Sequence, residues 1–244
     1  MIALVLFLLA AGLDRLLISE SWPLLDGPRR RWREWRPRVL GYLRSAPGTY
    51  IYLFVLLITS WVLQTSSGRI ANALLLERST NLHQLARDPV RVLFSSAFWV
   101  GGFGSWLEWF VLLSLFVAPV ERWIGTARTA LVFVIGHVGA TLVTAAGLSI
   151  ALRSDLVESS VVDARDVGAS YGFAAVVALL VYRFPLAPRL SFAAILLAGA
   201  GGQVALDHNF TNWGHIIALA LGFACYPLTT RRRPRERPLR ARGV

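Results

Sequence analysis

Apolar residues in this chain arrive in long blocks, and stretches rich in arginine separate the blocks. Six blocks follow Pro47: Gly48–Gln64, Val92–Ala118, Ala130–Leu152, Ser170–Tyr182, Leu190–Leu206 and Trp213–Leu228. None shows the polar stripe that a helix or strand on a water-soluble core requires. In hydrocarbon every backbone N–H and C=O must be satisfied inside its own segment, so such blocks predict spanning helices. Composition agrees, with 55% hydrophobic and 16% charged residues, against about 25% charged in soluble domains. The expected fold class is all-α, a polytopic membrane helical bundle.

Every one of the 25 basic residues is arginine, and the net charge is +11. In a soluble protein that balance points to nucleic acid. Here the arginines sit between apolar blocks, where they hold segments on the cytoplasmic side and lean on anionic lipid. The expected partners are therefore membrane lipids and not nucleic acid. Four regions follow: an apolar segment 1–18, an Arg-rich segment 19–46, the membrane domain 47–228 and a basic tail 229–244. The first is an extra span or an interfacial segment, and the sequence leaves that open. Placing both Arg-rich segments, 19–46 and the tail, in the cytoplasm requires an even number of crossings between them, and six blocks supply it. Loop 153–169, with Asp155, Glu158, Asp163 and Asp166 against two arginines, then falls outside. So does loop 65–91 despite its four arginines. The expected location is the plasma (cell) membrane, multi-pass.

Cofactor chemistry finds little support. Cys225 is the one cysteine, which rules out an internal disulfide and reads as a packing residue. Asp207 and His208 are neighbours without further ligands, so no metal site is expected, and no cofactor.

The fourth block has 13 residues, about 20 Å of helix against about 30 Å of hydrocarbon. It should sit in the bundle centre with its outer end below the membrane surface. Gly172, Ala174, Ala175 and Ala178 there, and Gly214, Ala218, Gly222 and Ala224 in the sixth block, permit close helix approach. Ser170 opens the fourth block in Gly168-Ala169-Ser170-Tyr171-Gly172, and His215 lies early in the sixth, after Asn212-Trp213-Gly214. The alternation of spans puts both near the outer face. A hydroxyl beside an imidazole is the minimal nucleophile and base for acyl transfer. Serine and histidine within membrane helices also serve simply as hydrogen-bonders, which is the reading given to His137.

At these residues the chain resembles the rhomboid family of intramembrane serine proteases. Gly168-Ala169-Ser170 and His215-x-x-Ala218-x-x-x-Gly222 are similar to the family's nucleophile and base motifs. Glu121-Arg122-Trp123-Ile124-Gly125 resembles the Glu-x-x-x-Gly that follows its second helix. Arg91 resembles the arginine opening its membrane-embedded loop, which would run Val92–Gly104 with the second helix starting near Ser105. The resemblance covers roughly Pro47 to Leu228 and implies a rhomboid-like six-helix core.

Two departures accompany it. The family's second helix supplies a His and, four residues later, an Asn that support the oxyanion. Those positions fall near Ser105 and Trp109 here, and no His or Asn lies between Gly101 and Ala118. Tyr171 stands where the family has Gly, and its ring is expected to alter packing against the second helix. Gly168, Tyr171, Ser105, Glu108, Trp109 and Asn212 are therefore the candidate support for Ser170 and His215. Glu108 either reaches water or an arginine, or orients a water or His215. The resemblance implies an intramembrane serine endopeptidase that cleaves transmembrane substrates. The alternative is a catalytically inactive relative that binds client transmembrane helices.

Overall fold

The fold is that of a computed structural model, which describes Arg15 and residues 26–163, 165–207 and 209–230. The remainder of segment 1–18, His208 and the tail 231–244 lie outside the described residues. No strand occurs among the described residues. Among the described residues, four helices are long and apolar enough to cross a membrane: α2 (Pro47–Thr65), α6 (Phe103–Ile124), α7 (Thr126–Arg153) and α9 (Leu186–Leu206). Two shorter apolar helices, α8 (Ser170–Leu180) and α10 (Phe210–Ala224), complete the bundle. The chain is an all-α, multi-pass membrane protein.

The short helix is the centre. Eight of the eleven residues of α8 are buried, and it packs chiefly on α7 and α10, which also pack on each other. Glycine makes this possible at Gly136 of α7 and Gly222 of α10. A methyl at either would collide with Ala175, on its Cβ in one case and its carbonyl in the other. A Cβ at Gly172 would reach the Phe133 ring within 2.7 Å. Ala218 is fully buried in the same seam. By contrast α9 packs principally on α10 and leaves Leu190 and Ile195 62% and 67% exposed.

Before α2 lies α1 (Asp26–Arg44), an arginine-rich helix. The connection from α2 to α6 is more ordered than a loop, because three polar residues cap short helices within it. Ser67 caps α3 (Gly68–Glu77), Asn81 caps α4 (Leu82–Arg87) and Asp88 caps α5 (Pro89–Ser95). Arg91 on α5 pairs with Glu77 and holds that carboxyl below its usual range. Residues 96–102 then cross against α2, where Tyr52 donates to the Ala97 carbonyl and Ser60 to that of Gly101 at 3.3 Å. Helix α6 carries a π turn, Leu113–Val117. Pro119 explains it, since proline cannot donate to the Leu115 carbonyl four residues back.

Glu121 fastens the opposite end of the bundle. Its buried carboxylate accepts from the Gly48 and Thr49 N–H groups, both at 2.7 Å. The Thr49 and Thr126 hydroxyls donate to it as well, at 2.6 and 2.7 Å. A carboxylate from α6 therefore caps the N-terminus of α2, which has no side-chain cap of its own. Gly125 reverses the chain from α6 into α7 with φ +89°, a conformation that glycine adopts without strain. Glu121 and Gly125 thus have a structural task each.

Candidate active site

The site is built at the opposite end from Glu121, where α8 and α10 begin. Two straps fix the backbone that leads into α8. Gly168, at φ +125°, donates its N–H to the Ser96 carbonyl at 3.0 Å. Asp166 is tied to residues 79–80. Its N–H donates to Ser79 Oγ at 2.6 Å, and its carbonyl accepts from Thr80 N–H at 2.8 Å. The Asp166 carboxylate accepts from the Thr80 hydroxyl at 3.0 Å and from Tyr171 OH at 3.3 Å. Burial pushes this carboxyl above its ordinary range, and the two hydroxyl donors offset part of the rise.

Ser170 is the first residue of α8 and is partly buried. It borders a polar recess of about 370 Å³ together with Gly101, Ser105, Asp166 and Thr211. Tyr171, 3% exposed, is the residue that meets His215. Their rings lie 5.2 Å apart at 73°, an edge-to-face pair. A methyl on Gly214 would collide with the Tyr171 ring. Successive residues of a helix point about 100° apart: Tyr171 meets His215, while Ser170 lines the recess it shares with Thr211 at the start of α10. No hydrogen bond joins Ser170 to His215 among the described residues, and His215 Nδ1 is buried without a partner.

The other sequence-predicted positions scatter. Ser105 reaches the Ser170 recess. Trp109 sits edge-on to Phe173, with centroids 5.5 Å apart. The ring of α8 that packs against the second helix is thus Phe173, and Tyr171 packs against α10 instead. Glu108 is exposed and makes no hydrogen bond or ion pair with a described residue. Asn212 donates to the Gln203 and Asp207 carbonyls at 3.2 and 2.8 Å, closing the end of α9.

One buried serine–histidine contact does exist. Ser96 Oγ lies 3.0 Å from His137 Nε2, with the two residues 0% and 4% exposed. It pins the 96–102 crossing to α7, the hydrogen-bonding role read for His137. Nothing in the sequence names Ser96 as the partner, because 41 positions separate the two.

An α-helical membrane bundle with a short, glycine-packed central helix and a Glu-x-x-x-Gly clasp defines the class. The chain matches the family model described as rhomboid-like protein over residues 41–235, about four fifths of the 244 residues. It belongs to that family. No curated protein and no solved structure matches it.

Proposed function

We propose that this rhomboid-like protein holds transmembrane helices of client proteins and does not cut them. The observation that carries this reading is Tyr171 lying beside His215, while no hydrogen bond joins Ser170 to His215 among the described residues. A serine hydroxyl without a partner to take its proton is a weak nucleophile. The second helix adds no His or Asn to hold an oxyanion, and losing one such donor costs about 10²–10³ in rate. The thin packing of α9 supports the binding half of the proposal. Its apolar outer face, with Leu190 and Ile195, suits a client helix within the bilayer. In the same reading the Arg-rich segment 19–46 and the tail face the cytoplasm of a plasma-membrane protein.

The second reading is proteolysis, and the polar recess at Ser170 favours it. Ser170 stands at a helix N-terminus beside Ser105 and Thr211. A rotation of α8 that brought Ser170 to His215 would let the imidazole take the Ser170 proton as oxygen attacks a peptide carbonyl. The same imidazole would then protonate the leaving amine.

The test uses the full chain in proteoliposomes with tagged single-span proteins. A photo-crosslinking residue at Ile195 should yield adducts with client spans, and no client should be cut. Cleavage that vanishes in Ser170→Ala establishes the second reading. Absence of both adducts and cleavage refutes the binding proposal.

A further inference from the structure

The strongest unassigned surface lies at the Glu121 end, on α1. At 3.6 residues per turn, Trp32, Trp35, Val39, Tyr42 and Leu43 fall within an arc of about 100°. Arg31 and Arg38 border one edge of that arc and Arg36 the other. The helix carries seven arginines against Asp26 and Glu34. Its apolar stripe is not consumed by the bundle, since Trp35, Val39 and Tyr42 remain 56%, 39% and 39% exposed.

The fold fixes the depth of this helix. Helix α2 starts at Pro47, three residues after α1 ends at Arg44. Tyr42 OH donates to the Ser114 carbonyl of α6 at 2.7 Å, and its ring meets that of Tyr50 with centroids 6.3 Å apart. The Arg122 guanidinium lies 4.1 Å from the centre of the Tyr42 ring. Arg122 also borders a shallow cleft of about 530 Å³ with Pro119, Trp123 and Arg183. Two arginines from the ends of different helices thus share one cleft with the Trp123 indole, and Arg122 joins that cleft to the α1 stripe.

We propose that α1 and the Arg122–Trp123–Arg183 cleft form one binding surface for the headgroups of anionic phospholipids. The stripe enters the interfacial layer while the flanking arginines engage phosphate. The indoles of Trp32 and Trp35 suit that layer, where aromatic rings with a polar tip concentrate. Charge selects the occupant, because a zwitterionic surface offers the arginines no net attraction. Arg122 and Arg183 of the cleft add two positive charges for a phosphate at the edge of the stripe.

Native mass spectrometry of the full chain in detergent tests this, with phosphatidylglycerol, phosphatidylcholine and inorganic phosphate added separately. Wild type should retain phosphatidylglycerol in preference to phosphatidylcholine, and the retention should fall as ionic strength rises. Each arginine replaced among Arg31, Arg36, Arg38, Arg122 and Arg183 by Gln should weaken retention about fivefold. The matching Arg→Lys variants should keep most of it, which separates charge from misfolding. Equal retention of the two lipids overturns the proposal, as do Gln variants that match wild type. Binding of inorganic phosphate as tight as that of the lipid overturns it too, because the stripe would then contribute nothing.

Discussion

Glu121 offers the most quantitative perturbation. Its two carboxylate oxygens receive four donors, the N–H groups of Gly48 and Thr49 and the hydroxyls of Thr49 and Thr126. The hydroxyls can rotate and find other partners, but the two N–H groups are fixed by the start of α2. Glu121→Gln keeps one accepting oxygen and turns an NH₂ toward the other donors. It strands one N–H and removes the charge that strengthens the remaining bonds, a cost of about 2 kcal/mol. Glu121→Ala strands both N–H groups and should cost about 4 kcal/mol. Unfolding of the purified protein by SDS titration, followed by tryptophan fluorescence, reads both values. The ordering is as informative as the size. Two variants within 0.5 kcal/mol of wild type, or Gln costing more than Ala, would refute the capping role. Gly48 gives an independent check, because its Cβ would sit 2.6 Å from the Thr126 methyl and 3.0 Å from Glu121 Oε1. Gly48→Ala should therefore disturb the same clasp.

Two further outcomes follow from the candidate site. Gly214→Ala forces a methyl into the Tyr171 ring and should cost about 1–3 kcal/mol. In a Tyr171→Ala background that cost should vanish, and a double-mutant cycle by the same titration shows whether the two are coupled. Asp166 has a raised native pKa because of burial, so its neutral form is favoured in the fold. Its contribution is full below the ordinary carboxylate value of about 3.9 and declines as pH rises through the raised value. Wild type should therefore lose stability relative to Asp166→Asn on raising the pH from about 4, as read by unfolding midpoints across pH. A difference that is flat, or that grows the other way, contradicts the burial argument.

Much of the architecture is legible in hydropathy because lipid imposes so strict a rule on the backbone. The blocks Gly48–Gln64, Ala130–Leu152 and Leu190–Leu206 lie within α2, α7 and α9, which extend a few residues further. The fourth block, too short to span, does occupy the bundle centre. The second block reads as one run, yet it holds a helix end, a crossing segment and most of α6. Apolar content cannot separate these, because the crossing is buried in protein and is as apolar as a span. The connection 65–91 carries its caps Ser67, Asn81 and Asp88 in plain sequence, but helices of six to ten residues are too short for an apolar period to mark them. Site geometry was the least legible. Depth follows from counting along a helix, but facing depends on rotation, and one residue of register exchanges Ser170 for Tyr171. The bulk of Tyr171 was visible in the sequence. Its partner, His215 in place of the second helix, required the Gly214 opening in α10.

The register of α8 is the central claim, and fluorophosphonate labelling with adduct mapping tests it most directly. Wild type should take up no probe at Ser170. His215→Ala should give the same blank, because no label at Ser170 depends on the imidazole. Wild-type labelling at Ser170 that disappears in His215→Ala would contradict the account.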